Sequence, residues 1–220
     1  MHNTIDRLFD KTGNARDFAS GYLAYLSQLL QKLDINSIGS FIEELESCRE
    51  RGSTILIAGN GGSASTASHM INDLSMDILK KSHTEKPFRA FSLTDNTSLI
   101  TAIANDDGYH NVFVNQLKIY YKPGDILIAI SASGNSPNVV NAVTWVKDQG
   151  GRTIGVIGFD GGKLRHLCDL IVHVETPKGE FGPVEDIHLI LNHLAALYLQ
   201  CKLKMCHNET IGESYHGYKT

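Results

Sequence analysis

Ser53-Thr-Ile-Leu-Ile-Ala-Gly-Asn-Gly-Gly-Ser63 decides how this chain is read. Residues 53–58 make a short apolar, β-branched run, the pattern of a strand buried on both faces in a parallel sheet. Gly59 closes the run, and Asn-Gly-Gly leads into a helical pattern that opens at Ser63. Glycines let the backbone turn sharply and approach a ligand, and a serine can cap the helix that follows. The helix N-terminus offers free N–H groups and partial positive charge to an anion. The loop is neither a P-loop nor a complete Gly-x-Gly-x-x-Gly fingerprint, and a plain strand-to-helix turn has the same composition.

Upstream, Phe18, Tyr22, Leu23, Leu26, Leu29 and Leu30 recur at helical spacing, as do Ile38, Phe41, Ile42 and Leu45. Downstream the pattern alternates. Strands are expected at 89–93, 125–131, 153–158 and 170–174, and helices at 63–80, 98–104, 111–120, 137–149 and 184–204. Such alternation implies βαβ crossovers, a mainly parallel sheet and the α/β class. The expected organisation is an N-terminal helical segment over 1–52 packing on the domain, an α/β core over 53–206 and a loose polar tail over 207–220.

A chain of 220 residues suits one domain, and a 42% hydrophobic content with 20% charged residues is that of a globular protein. The formal charge of −4 argues against a broad nucleic-acid surface, which needs a basic excess. The polar start, MHNTIDRLFDKTGN, has no apolar core of a secretory leader, and no run is apolar enough to span a bilayer. Cys48, Cys168, Cys201 and Cys206 lack zinc-knuckle spacing and read as reduced thiols. A cytoplasmic protein is expected, with no membrane and no nucleic-acid partner.

In an open α/β sheet ligands sit at the carboxyl ends of the strands. A second unusual loop lies at such a place: Ser131-Ala-Ser-Gly-Asn-Ser136, followed by Pro137 in the first turn of a helix. Three hydroxyls and an amide without Lys or Arg suit a phosphate monoester held by hydroxyls and backbone N–H groups, although a hydroxyl-rich cap is the simpler use. His69 and Asp73 stand four apart on the first of these helices, hence on one face. Glu185 and His193 lie about 80° apart around the last helix. Two imidazoles and two carboxylates can make a tetrahedral zinc site, while the spacing by itself equally fits solvated pairs.

Taken in order, Gly-Asn-Gly-Gly-Ser at 59–63, Ala-Asn-Asp at 104–106, Ser-x-Ser-Gly-Asn-Ser at 131–136 and Gly-x-Asp-Gly-Gly at 158–162 resemble the sugar isomerase (SIS) domain. More closely they resemble the phosphoheptose isomerases, over residues 15 to 204 or so. The resemblance implies a single domain with a five-stranded parallel sheet, a homotetramer and active sites between subunits. It implies a substrate site lined by Asn60, Gly61, Gly62, Asn105, Asp106, Ser131, Ser133 and Ser136, with Ser63 at the helix mouth counted among them.

Relatives of this type carry His and Glu on the first helix and Gln and His on the last. The matching residues are His69, Asp73, Glu185 and His193, implying one zinc per subunit. Asp73 or Glu185 is then the base, His193 the acid and His69 mainly a ligand. Asp73 is one methylene short of the family Glu, and Glu185 adds a carboxylate where the family has an amide. Ala132 replaces a usual Thr, and Asp77 replaces an Arg, with Lys80 and Lys81 nearby. His188, one helical turn after Glu185, is a candidate extra ligand, although a satisfied structural histidine is the simpler reading, and Asp160-Gly161-Gly162 reads as a turn.

The implied activity is metal-dependent aldose–ketose isomerisation of sedoheptulose 7-phosphate to D-glycero-D-manno-heptose 7-phosphate. Two rivals stand beside it: a non-catalytic SIS-type adaptor that binds a sugar phosphate, and an isomerase of another sugar phosphate such as a pentose 5-phosphate.

Overall fold

The computed structural model describes residues 3–216. Its sheet holds β1 (Thr54–Ala58), β2 (Arg89–Ser92), β3 (Ile126–Ser131), β4 (Arg152–Phe159) and β5 (Leu170–Glu175). All pairings are parallel, in the order β2-β1-β3-β4-β5. Each strand falls where the apolar runs place it, because a central parallel strand must be apolar on both faces. Ile55, Ile57 and Ile128 face one core cluster and Leu56, Ala58 and Leu127 the other, all at most 1% exposed.

On the first face lie α3 (Ile35–Glu50), α4 (Gly62–Ile71) and α10 (Phe181–His216), supplying Phe41, Leu45, Met70, Leu191 and Leu199. On the second lie α7 (Val114–Tyr120), α8 (Pro137–Asp148) and α9 (Leu164–Leu167), supplying Leu117, Val139, Val143 and Leu164. Two further helices, α1 (Thr4–Lys11) and α2 (Ala15–Gln31), are tied to the entry of α10 through the buried carboxylate of Glu180. It accepts the Thr4 N–H and the Tyr25 hydroxyl, each at 2.5 Å.

Two helices differ from the sequence reading. The continuous helix expected over 63–80 is interrupted: α4 passes into a π-helical segment, Asn72–Asp77, before α5 (Ile78–Ser82). There the Ile78 N–H donates to the Asp73 carbonyl, five residues back. Apolar spacing cannot announce one wide turn, and such turns concentrate at functional sites. The tail expected to be loose from 207 continues α10 as far as His216. Nothing between 207 and 216 forbids a helix, since Gly212 costs only about 1 kcal/mol and no proline intervenes. The end of that expected tail, 217–220, lies outside the described residues.

Cys48 and Cys168 have thiols pushed up by burial, to about 11 and about 12, which suits inert structural sulfur. Among the described residues no helix is long and apolar enough to cross a membrane.

Candidate functional site

The strand order reverses between β1 and β3, and the carboxyl ends of the strands at such a point are where an open α/β sheet binds its ligand. Both loops singled out in the sequence meet there. The Gly-rich loop leaves β1, and the hydroxyl loop leaves β3 for α8. An amide pair joins them. Asn60 Nδ2 donates to Asn138 Oδ1 and Asn138 Nδ2 returns a bond to Asn60 Oδ1, each at 2.9 Å. The Tyr109 hydroxyl donates to the same Asn60 oxygen at 2.9 Å. Asn60 is thus a brace whose side-chain oxygen and nitrogen are engaged. Neither Asn138 nor Tyr109 was singled out in the sequence, where an Asn in a first helical turn looks like any cap.

In the hydroxyl loop, Ser131 Oγ accepts the Gly134 N–H at 3.1 Å and Ser133 Oγ accepts the Asn135 N–H at 3.2 Å. Ser131 is buried and Ser133 half-buried, so Ser133 is the one whose hydroxyl proton can reach a ligand. Ser136, at the mouth of α8, makes no capping bond with its side chain. Ala132 is buried in the core. The 160–162 turn clamps this loop from behind: the Leu164 N–H donates to the Gly134 carbonyl and the Lys163 N–H to Asn135 Oδ1, both at 3.1 Å. Gly134, at φ +61°, cannot be replaced cheaply, because a Cβ there would lie 1.9 Å from the Gly161 carbonyl oxygen. Asn105 and Asp106 are exposed at the end of α6 (Thr97–Asp106), where Asn105 Nδ2 donates to Asp106 Oδ1 at 2.7 Å.

The helix after the Gly-rich loop runs beside α10, and the groove between them holds the titratable residues. At one end Gly62 faces Glu185 so closely that a Cβ would fall 2.1 Å from its Oε2. Burial, and then the neighbouring Asp186, raises the Glu185 carboxyl above its ordinary range. Ser63 is buried in the same turn.

Two turns further, His69, Asp73 and His193 converge. Asp73 Oδ2 lies 3.3 Å from His69 Nε2 and 3.7 Å from His193 Nε2, and the two Nε2 atoms are 3.0 Å apart. Donors about 2.0–2.2 Å from a tetrahedral zinc lie about 3.3 Å from one another, so these separations fit such an ion. Both imidazoles are about half exposed, whereas Asp73 is 8% exposed and held from behind by Asn192 Nδ2 at 2.7 Å. Asp73 is the second residue of the π-helical segment. Nothing in the local pattern marks Asn192, which stands between Leu191 and His193 and whose partner lies 119 residues away in the chain.

Glu185 does not join this cluster within the chain. Eight residues of helix return to nearly the same side but advance about 12 Å along the axis. Of the four residues that the resemblance implies as ligands, one chain by itself brings three together, the number a catalytic zinc site keeps while leaving a position open.

A cleft of about 200 Å³ extends from the triad and is lined by Asp73, His193, Asp77, Lys81 and Gln200. Lys81 Nζ pairs with Asp77 Oδ2 at 2.7 Å, which holds the Asp77 carboxyl below its ordinary range. An ammonium group paired with a carboxylate thus lines the cleft. A larger cleft, about 680 Å³, lies between the α2–α3 turn and the ends of β4 and β5, and contains none of the candidate residues. His188 is buried as expected. Its Nε2 faces the Ile157 carbonyl at 3.3 Å, and burial lowers its imidazole to about 4, so it is neutral.

Comparison with known proteins identifies the family and the fold. The SIS domain family profile matches residues 18–158. A probable phosphoheptose isomerase of Thermoplasma acidophilum is 35% identical over 176 residues, 80% of this chain and 94% of its own. The phosphoheptose isomerase of Rhodospirillum rubrum is 37% identical over 143 residues, 65% of this chain and 73% of its own. Among solved structures, the phosphoheptose isomerase of Neisseria gonorrhoeae superposes with a TM-score of 0.76 at 28% identity, covering 86% of this chain and all of that one.

Proposed function

This chain belongs to the SIS domain family and is a sugar-phosphate isomerase of the phosphoheptose isomerase type, and from that premise we propose that it interconverts sedoheptulose 7-phosphate and D-glycero-D-manno-heptose 7-phosphate in a zinc-dependent reaction. The observation that carries this reading is the convergence of His69, Asp73 and His193 at one end of the α4–α10 groove. These three residues would hold the metal, whose charge would polarise the carbonyl and hydroxyl of the substrate.

Aldose–ketose isomerisation moves a proton between adjacent carbons through an enediol, so it needs a base for the carbon-bound proton and an acid for the oxygens. Asp73 shares the reacting end with His193, which favours Asp73 as base and His193 as acid over a role for Glu185 at the far end. Asn192 fixes the Asp73 carboxylate, and Lys81 offers an ammonium group to the polar substrate.

Length supports a seven-carbon substrate. The start of α4 and His69 are seven residues apart, about 10.5 Å of helix. A fully extended heptose phosphate spans about 10 Å from the first carbon to phosphorus, at the reach per bond of an extended chain. The carbonyl end can sit at the triad while the phosphate meets Ser133, Ser136 and the helix mouths.

Assembly as a homotetramer is part of the same reading. Leu194, Leu197, Tyr198 and Met205 form an exposed apolar stripe on α10 beside the triad, and Phe9 and Leu23 are 70% and 65% exposed on the N-terminal helices. Light scattering at micromolar concentration is expected to give four chains, and a monomer would refute this part. The deciding test of the activity is anaerobic incubation with sedoheptulose 7-phosphate, with and without zinc, followed by product analysis. Zinc-dependent formation of the aldoheptose is expected. Turnover of a pentose 5-phosphate alone would reassign the substrate, and no turnover of either would favour an adaptor.

A further inference from the structure

Behind the triad, two buried acceptors are left without partners. Asn192 and His188 stand one turn apart on α10, and each is 2% exposed. A carboxylate only accepts, so Asn192 must turn Nδ2 towards Asp73 and its Oδ1 inward. A carbonyl only accepts, so His188 must carry its proton on the Nε2 that faces Ile157, leaving Nδ1 a bare lone pair. Neither Asn192 Oδ1 nor His188 Nδ1 has a hydrogen-bond partner among the described residues.

Two acceptors cannot satisfy each other, and an unpaired buried acceptor loses its hydration without return. Both residues line a single cavity of about 10 Å³, whose other walls include Phe41, Ile130, Val172 and the hydroxyl-bearing Thr66. That volume is about what one water centre needs, and a water has two hydrogens to give.

We infer that this cavity binds one water, which donates to His188 Nδ1 and to Asn192 Oδ1, and that Asn192, so held, is the positioning residue that aims Asp73 at the two imidazoles. The chain then runs from the Ile157 carbonyl on β4 through His188, the water and Asn192 to Asp73. It anchors the π-helical segment to the central sheet at the point where the candidate metal ligand sits. Reversing the Asn192 amide would set its oxygen against the carboxylate, so the bond to Asp73 and the water select the same orientation.

The positioning half rests on the triad being a metal site, so the test separates the two. Cobalt(II), a visible probe of tetrahedral zinc geometry, is titrated into metal-stripped full-length wild type and Asn192→Leu. Wild type is expected to bind it with tetrahedral absorption bands. Asn192→Leu is expected to bind roughly 10–100-fold more weakly, with altered bands, the usual scale for losing an outer partner of a ligand. Equal affinity and unchanged bands in the variant would overturn the positioning role. A wild type that takes up neither cobalt nor zinc would overturn the metal reading, and the positioning role with it. The water is judged independently, and without any variant having to fold, by a high-resolution crystal structure of the wild type. Density within hydrogen-bonding distance of both His188 Nδ1 and Asn192 Oδ1 supports it, and an empty cavity overturns it.

Discussion

The groove between α4 and α10 carries different chemistry at its two ends, although the same two helices build both. At the entry of α4 a lone carboxylate, Glu185, lies against Gly62 with its proton affinity raised by burial. Two turns on, two imidazoles and the carboxylate of Asp73 converge, with Asn192 behind them. The difference is one of rise rather than angle. Residues eight apart share a side of a helix, but the axial advance of about 12 Å forbids them one small ligand. Sharing a face is therefore weaker evidence of a common site than reaching it from two different elements, as His69 and His193 do.

The largest expected effect breaks the triad end. His193→Gln should lower kcat by about 10²–10⁴-fold, the range of a lost acid–base group, and should reduce the roughly one zinc per subunit expected in gently purified wild type. Steady-state kinetics with elemental analysis checks both, and an unchanged kcat would remove His193 from the reaction.

Next in size is the acid sensitivity of the core beneath that end. His188 titrates near 4 when folded against 6.5 when unfolded, so between those values the unfolded chain binds more protons. Stability is present above pH 6.5 and is lost as pH falls towards 4. The loss should be about 2 kcal/mol between pH 7.5 and pH 5. Urea midpoints of metal-stripped protein measure it, with His188→Gln expected to flatten the slope; an equally steep slope in that variant would assign the effect to other groups.

Smaller again, Ser133→Ala tests where the phosphate lies. Loss of one hydrogen bond from a half-buried hydroxyl to a charged phosphate should weaken substrate binding by about 1.5 kcal/mol without changing the melting temperature by much. An unaltered KM would move the phosphate away from the hydroxyl loop.

The smallest effect is expected at the Glu185 end. Glu185→Gln should keep kcat within about tenfold of wild type, below the contribution of an acid–base group. Full loss of turnover with metal retained would make Glu185 the base and leave Asp73 only a ligand, reversing the contrast between the two ends.

The α/β class, the five strands and the two loops that meet at the switch point are legible in the amino-acid sequence. These follow from local signals: β-branched apolar runs, glycines after a strand, hydroxyls before a helix. The sequence also marked His69, Asp73, Glu185 and His193, through an order of motifs that resembles a known family, since their spacing alone fits solvated pairs equally well. Partnership, by contrast, emerges only when the elements pack. Asn60 spends its amide on Asn138, Glu185 meets Gly62 instead of the triad, the π-helical segment takes in Asp73, and Asn192 turns to the Asp73 carboxylate. Each of these depends on which side chain arrives from a distant element, and on how far along it arrives. Periodicity reports the direction a side chain takes from its own helix, whereas its partner is fixed only when the elements pack.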